Sequence, residues 1–256
     1  MEETFNITAE MLKVKGACAS GMRDFLKEFP REQYPDGADY QEVLNRCAEH
    51  ERPNYAEWLL NEFGAANTTL SVDKINTNGY VFFAGRIEAR GDIRCKAIVA
   101  GREIEAGRDI EAGCGIEAGW GIKSGWGIKS GRDIKAGESI EAGCGIEAGE
   151  SIEAGCGIEA GWGIKAGEGI KAGCGIKADC GIKAGWCIKA GCGIEAGEGI
   201  EAGCGIKAGC GIKAGEDFGV YAGLAVRLSY KSRDAKITAK EKPANIICGE
   251  WVPFDD

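Results

Sequence analysis

The sequence contains little proline, a single histidine and no long apolar run. Five prolines and the absence of a Gly-X-Y triplet pattern exclude a collagen-like triple helix. No stretch of about 18 consecutive apolar residues occurs, so we expect no membrane-spanning helix and no membrane partner. Residues 1–17 also lack the apolar segment of a signal peptide, and we therefore predict a cytoplasmic protein.

The cysteines lack the spacing of a metal site. Thirteen cysteines would suggest disulfides in a small secreted protein, but the number is odd and most of them lie in a regular repeat. No C-x₂-C pair is present and histidine is absent nearby, so we predict reduced thiols, no metal site and no cofactor. The cysteines are instead expected to fill a ladder of small apolar side chains.

Charge of one sign is not concentrated anywhere in the chain. The net charge is −9, with lysine and glutamate mixed along the repeat and no basic stripe. Because proteins bind nucleic acid mainly through clustered positive charge, we expect no direct nucleic-acid partner.

Glycine, in contrast, is abundant, and it belongs to a six-residue repeat. The motif Ala-Gly-x-Gly-Ile-(Lys/Glu) recurs from residue 100 to 218, and an isoleucine occurs at every sixth residue from Ile104 to Ile212. A helix is excluded because glycine costs about 1 kcal/mol per residue there and a period of six matches no helical stripe. Short units that must stack on their neighbours predict a mainly β fold, a parallel β-solenoid. Further apolar residues extend this spacing on both sides: Ile87, Ile93 and Ile98 before the repeat, Phe218 and Leu224 after it.

Within each repeat, alternation along a strand assigns the side chains. Isoleucine points inward, the following Lys or Glu points to solvent, and alanine suits a tight interior. We expect the two glycines to supply a bend through positive φ, which lets the variable residue between them face outward.

The charged column predicts the size of a coil. Opposite charges face each other in 12 of 16 pairs when a coil holds three repeats, and in 11 of 15 pairs when it holds four. We favour three, and four stays open. With three repeats, Cys156, Cys174, Cys192 and Cys210 stack in one ladder.

The remaining segments form two ends and a linker. Residues 1–66 are predicted as a small helical domain, with Thr8 and Asp39 as helix caps, Pro53 in a first turn and Gly64 as a stop. This domain either covers the open edge of the solenoid or docks a partner. Residues 67–80 are predicted as a linker and 81–218 as the solenoid.

A β cap is predicted over residues 219–256. It has one strand near 224–228 and another at 236–240, and Trp251 to Phe254 close the chain.

The helical segment resembles the amino-terminal segment of small accessory proteins of bacteriophages and prophages. The motif Lys15-Gly16-Ala17-Cys18, Phe25 and Phe29, and a Tyr-x-x-Trp-Leu-Leu helix carry this resemblance. Some of those proteins continue into GIKAG/GIEAG repeats, as this chain does. The resemblance implies a phage origin more than an activity.

The variable position of the repeat carries the candidate binding residues. Trp and Arg are the residue types that most often anchor protein interfaces, whereas a tolerant surface ladder is the plainer interpretation. The candidates for a partner-binding face are Trp120, Trp126, Trp162, Trp186, Arg102, Arg108 and Arg132.

These features favour a non-enzymatic, protein-binding solenoid, a phage-encoded inhibitor or decoy of a host defence or DNA-processing protein. Self-association into a homo-oligomer stays open. The alternatives are a DNA-mimicking rod, which the mixed charges disfavour, and a structural solenoid. An acyltransferase built on hexapeptide repeats is disfavoured because such enzymes need a histidine at a coil edge, and His50 lies in the helical segment.

Overall fold

Three parallel sheets wind around one axis in the computed structural model, which describes residues 5–226 and 230–253. Each strand pairs with the third strand along the chain, as Ile110 pairs with Ile128 and Ile128 with Ile146. One coil therefore holds three repeats, or 18 residues. The chain is a parallel β-solenoid of about 10 coils, and the prediction of three repeats per coil is confirmed.

The three sheets are called face 1, face 2 and face 3 in chain order. Face 1 consists of Thr69–Val72, Arg86–Ala89, Ile104–Ala106, Ile122–Ser124, Ile140–Ala142, Ile158–Ala160, Ile176–Ala178, Ile194–Ala196 and Ile212–Lys213. Face 2 consists of Ile75–Asn76, Ile93–Cys95, Ile110–Ala112, Ile128–Ser130, Ile146–Ala148, Ile164–Ala166, Ile182–Ala184, Ile200–Ala202, Val220–Ala222 and Ile246–Cys248. Face 3 consists of Tyr80–Phe83, Ala97–Ala100, Ile116–Ala118, Ile134–Ala136, Ile152–Ala154, Ile170–Ala172, Ile188–Ala190, Ile206–Ala208, Lys236–Ala239 and Glu250–Pro253.

The interior is a stack of isoleucine and alanine ladders. Every repeat isoleucine from Ile104 to Ile212 is buried, and so is the alanine two residues later, except for the half-buried Ala214 at the end of the repeat. Ser124 and Ser130 replace this alanine in two repeats and are also buried. The Ser130 hydroxyl donates to the Cys114 carbonyl at 2.8 Å, so the polar group is satisfied inside the core.

Glycine is needed at the corners because the coils approach each other closely, and the prediction of positive φ is wrong. The described glycines with positive φ, such as Gly223, lie outside the repeat. A Cβ at most first glycines of the repeat would lie closer than 3.0 Å to the carbonyl oxygen of the coil before it, as at Gly155 against Gly137. Most second glycines have more room, since a Cβ at Gly157 would lie 3.7 Å from the nearest oxygen. Stacked carbonyls therefore favour glycine mainly at the first position.

Four helices precede the solenoid: α1 (Ala9–Val14), α2 (Ala19–Glu28), α3 (Tyr40–Glu49) and α4 (Pro53–Phe63). The predicted signals act as expected, because Thr8 accepts from Met11 at 3.2 Å, Asp39 accepts from Glu42 at 3.1 Å, and Gly64 ends α4 with φ 77°. Two short strands precede the helices α1 and α3: Asn6–Ile7 pairs antiparallel with Ala38–Asp39. In the part of the chain that is described, no helix has the length and apolar character to cross a membrane.

The helical domain packs on the outer surface of face 3. Phe82 and Val99, which point away from the solenoid core, join the apolar cluster of the helices. The Gln41 side chain donates to the Phe82 carbonyl at 2.8 Å and accepts from the Ala84 amide at 2.9 Å, so it also pairs with the first strand of face 3. The helices therefore cover the outer surface of face 3 in the first coils. Burial raises the pKa of Glu117 at this contact, and the Glu57 carboxylate raises it further.

The solenoid begins earlier than predicted. The expected linker, residues 67–80, holds the first strands of faces 1 and 2. Thr69 and Leu70 pair in parallel with Arg86 and Ile87, so this polar stretch already forms the first coil. The polar residues of this stretch led to the wrong prediction, because a strand of the first coil has only one neighbouring coil and buries less of its surface.

The repeat ends at Ile212, and the extension through Phe218 and Leu224 is wrong. Both side chains are exposed, and Val220 takes the interior place opposite Ile200 because the preceding corner is two residues longer. The strand predicted near 224–228 is a turn at residues 224–225, and its remainder from 227 lies outside the described residues.

The second predicted carboxyl-terminal strand is present as Lys236–Ala239 and pairs with Ile206–Ala208. A short helix, α5 (Lys231–Asp234), precedes it, and Glu250–Pro253 forms the next coil of face 3. The predicted closing residue Phe254 lies outside the described residues.

Candidate functional site

The variable residues of the repeat form three ladders along the corners of the solenoid. Edge 1 joins faces 1 and 2 and carries Arg108, Trp126, Cys144, Trp162, Cys180 and Glu198. Edge 2 joins faces 2 and 3 and carries Cys114, Arg132, Glu150, Glu168, Trp186 and Cys204. Edge 3 joins faces 3 and 1 and carries Arg102, Trp120, Glu138, Cys156, Cys174, Cys192 and Cys210.

Backbone hydrogen bonds hold neighbouring members of a ladder in register. The Cys144 amide donates to the Trp126 carbonyl at 2.8 Å, and the Trp162 amide donates to the Cys144 carbonyl at 3.1 Å. The side chains leave the corner next to at least one glycine and point away from the core. Each edge is therefore a row of outward side chains at the coil spacing of about 4.8 Å.

The seven predicted binding residues do not share one surface. Edge 1 brings Arg108, Trp126 and Trp162 together. Edge 3 holds Arg102 and Trp120, and edge 2 holds Arg132 and Trp186 with two glutamates between them. Residues on one corner are separated by multiples of 18, and the prediction of a single binding face did not apply this rule to the tryptophans and arginines.

Two of the tryptophans are held by arginines of the preceding coil. The Arg102 guanidinium lies 4.1 Å from the centre of the Trp120 ring, and the Arg108 guanidinium lies 5.4 Å from that of Trp126. Such cation–π contacts at exposed sites contribute about 0.5–1 kcal/mol. These arginines therefore orient indole rings, whereas Arg132 pairs with Glu150 at 3.2 Å.

Edge 1 carries two exposed tryptophans, whereas the ladders of edges 2 and 3 carry one each. Trp126 is 51% exposed and Trp162 is 64% exposed. They lie two coils apart, or about 9.6 Å, with Cys144 between them. The smaller cysteine leaves a notch between two indole rings, and a partner side chain that enters it would contact apolar surface on both sides.

Edge 3 carries four consecutive cysteines, as the coil size predicted. The Cys174, Cys192 and Cys210 amides each donate to the carbonyl of the cysteine one coil before, at 2.9 Å in every case. All four thiols are free and exposed. These cysteines therefore form a ladder of small side chains, as expected, and the ladder is exposed because the corners turn the variable residues outward.

The charged ladders on the faces are largely neutralised between coils. Lys165 lies 3.0 Å from Glu147, Lys183 lies 2.7 Å from Glu201, and Lys213 lies 3.2 Å from Glu195. Like charges face each other in four places along the repeat: Glu141 with Glu159, Lys165 with Lys183, Lys171 with Lys189, and Lys189 with Lys207. The last two places form a column of three lysines on face 3, next to edge 3.

The helical domain contains an apolar groove that the sequence did not reveal. A cavity of about 490 Å³ lies between α2 and the pair α3 and α4, with Phe25, Tyr55 and Trp58 in its lining. No residue of α2 is fully buried, although that helix is amphipathic. His50 Nε2 lies 3.2 Å from Glu28 Oε1 at this groove, and its side chain is half exposed.

Within residues 5–226 and 230–253, no group of three or more His, Cys, Asp or Glu side chains converges as a metal site would require. The described thiols, carboxylates and His50 therefore present no tetrahedral ligand set. The chemical content of the edges is apolar contact, cation–π stacking and free thiol.

The fold and its edges define a parallel β-solenoid with a helical amino-terminal domain. A family model, the YdhT N-terminal domain, matches residues 1–64 and so covers the helical domain alone. No curated protein matches this chain, and no solved structure matches it.

Proposed function

We propose that this protein is a non-enzymatic binding scaffold, in which the solenoid is a stiff rod that holds a partner protein against edge 1. The observation that carries the proposal is the pair Trp126 and Trp162, exposed on one corner with Arg108 stacked on the first ring. Exposed Trp and Arg are the residue types that contribute most at protein interfaces. The stacked coils keep the two rings at a fixed separation, so little conformational entropy is lost on binding.

The finer proposal concerns the partner. The resemblance of the helical segment and the repeats to phage accessory proteins supports a phage-encoded inhibitor or decoy in the host cytoplasm. Its target would be a host protein of defence or DNA processing. A protein that acts by occupying another needs no catalytic group.

A DNA-mimicking rod is the alternative within the same class of targets. Duplex DNA presents a continuous row of negative charge, whereas the lysines of this solenoid neutralise the glutamates of neighbouring coils. Edge 1 is also mostly uncharged. The ladder chemistry therefore favours apolar recognition over imitation of DNA.

The test compares two double variants in capture from host lysate. Trp126→Ala with Trp162→Ala removes the paired rings of edge 1. Trp120→Ala with Trp186→Ala removes the same number of indole rings from the other two edges and serves as the matched control. We expect a captured protein that is lost with the first variant and retained with the second.

Two further results decide between the alternatives. Equal capture by both variants would rule out edge 1 as the binding surface. Release of the captured protein by duplex DNA, with unchanged capture by the edge 1 variant, would favour the DNA-mimicking rod.

A further inference from the structure

The cysteines of edge 3 form the one stretch of the described ladders in which four consecutive coils carry the same reactive side chain. Cys156, Cys174, Cys192 and Cys210 are free, exposed and joined by backbone hydrogen bonds of 2.9 Å. Because the strands on both sides are in register, the thiols leave equivalent corners at successive steps of about 4.8 Å. Four sulfur atoms therefore lie in a row on one edge of a stiff rod.

This spacing suits a metal ion held between two thiolates better than it suits a disulfide. A disulfide needs Cβ atoms about 3.5–4.5 Å apart, slightly closer than parallel side chains on adjacent coils about 4.8 Å apart would place them. A soft ion with metal–sulfur bonds of about 2.3 Å, placed midway between two thiolates, spans about 4.6 Å. That span matches one coil step without any movement of the backbone.

We propose that edge 3 binds Cu(I) ions, each between the thiolates of two adjacent ladder cysteines. Thiolate ligands select soft ions such as Cu(I) over the harder divalent ions. A tetrahedral zinc site would need further ligands, and the described residues offer no group of three. Two-coordinate binding needs only the neighbouring pair that the ladder supplies.

Charge on the adjoining face points to an anionic ligand at the same place. Lys171 and Lys189 face each other one coil apart on face 3, and Lys207 follows in the same column. Lys171 and Lys189 each precede a ladder cysteine by three residues. Stacked like charges are unfavourable in a sheet. When two thiols bind one Cu(I), two protons are released and the complex carries one negative charge, which would offset this column.

The test keeps the number of thiols constant and changes only their adjacency. Cys192→Ser with Cys210→Ser retains an adjacent pair, whereas Cys174→Ser with Cys210→Ser leaves Cys156 and Cys192 two coils apart. Both variants also carry Cys187→Ser, because that thiol contacts another cysteine of the next coil and would add a second pair. The full-length proteins are compared in the reduced state without oxygen, in competition with a Cu(I) chelator.

We expect the variant with the adjacent pair to bind one Cu(I) at least about 100-fold more tightly, since the second thiolate is already in place when the first binds. Its affinity should fall as pH falls, because binding displaces protons. X-ray absorption should find two sulfur ligands on the ion. Equal affinities in the two variants would overturn the proposal, as would an ion with three or more sulfur ligands.

Edge 1 supplies the control within the same fold. Cys144 and Cys180 are separated by Trp162, so the variant Cys144→Ser with Cys180→Ser removes two thiols but no adjacent pair. This variant should retain the full Cu(I) binding of the edge 3 ladder. Loss of binding here would show that thiol content and not adjacency determines affinity, and would overturn the proposal.

Discussion

Replacement of one corner glycine by alanine tests how closely the coils of the solenoid are stacked. Gly155 is the first glycine of its repeat, and a Cβ there would lie closer than 3.0 Å to the Gly137 carbonyl oxygen. The contact is with the backbone of Gly137, so no flexible side chain can move to relieve it. Since nonbonded heavy atoms pack at about 3.5–4.0 Å, the two coils must separate locally by on the order of 1 Å.

That separation affects two ladder hydrogen bonds at the corner. The Gly155 amide donates to the Ala136 carbonyl at 3.0 Å, and the Cys156 amide donates to the Glu138 carbonyl at 3.0 Å. Each contributes about 1 kcal/mol net, and overpacking costs about 1–3 kcal/mol. Alanine recovers about 0.4–1 kcal/mol by restricting the unfolded chain. We therefore expect Gly155→Ala to lower the free energy of unfolding by about 2–4 kcal/mol.

The matched control is Gly157→Ala, two residues further along the same corner. A Cβ at Gly157 lies 3.7 Å from the Gly175 carbonyl oxygen, an ordinary contact. This variant should be neutral or slightly more stable. Asp179 occupies the first-glycine position of its own repeat, so one corner can adapt to a side chain, and we expect a loosened stack and not complete unfolding.

Urea unfolding followed by circular dichroism measures the stability of both variants. Hydrogen exchange should rise in the two coils that meet at Gly155, because stability in a repeat fold is a sum of contacts between neighbours. Equal urea midpoints for Gly155→Ala and Gly157→Ala would refute the argument that backbone approach selects glycine at the first position.

Three further predictions concern charge and burial. Lys177→Glu should destabilise face 1, where acidic residues lie above and below it, while Lys189→Glu should stabilise face 3 by dividing the lysine column. Each variant should change the free energy of unfolding by less than about 1 kcal/mol, and by less in high salt, which urea unfolding at two ionic strengths measures. Glu117→Gln should raise the free energy of unfolding at neutral pH by less than about 1 kcal/mol and should flatten the pH dependence of the thermal midpoint. Burial raises the pKa of Glu117, so the stabilisation that this carboxyl contributes is lost as pH rises through the raised folded-state pKa. Burial raises the pKa of the Cys47 thiol to about 12, so this cysteine should react with a thiolate-dependent reagent at pH 8 only when the helical domain opens; rapid labelling of native protein, located by mass spectrometry, would contradict its burial.

Much of the solenoid could be predicted because the repeat is local and strict. The isoleucine at every sixth residue leaves one arrangement that buries it, and charges three repeats apart indicate the coil size. The cysteine ladder followed directly from that size. The helix caps at Thr8 and Asp39 were also predictable, since a cap acts on amides within three residues of itself.

The ends of the solenoid and the candidate binding edges were less predictable. The first coil contains the polar residues 67–80, and Val220 replaces Phe218 in the core after a longer corner. The sequence singled out exposed tryptophans but grouped residues that lie on three different corners. The apolar groove beside Phe25 had no signal beyond the amphipathic character of α2.

The amino-acid sequence by itself determined the repeating unit and the identity of the inward side chains, and it favoured three repeats in a coil over four, because each depends on contacts between one repeat and its nearest copies. Only the tertiary structure decided where the helical domain lies, since its docking depends on Phe82, Val99 and Gln41 meeting across more than 40 residues of chain. The structure also decided that both rings of edge 1 are exposed, although the coil length by itself places them on one corner. Trp126 and Trp162 become neighbours only when 36 residues have wound through two complete coils of 18 residues each.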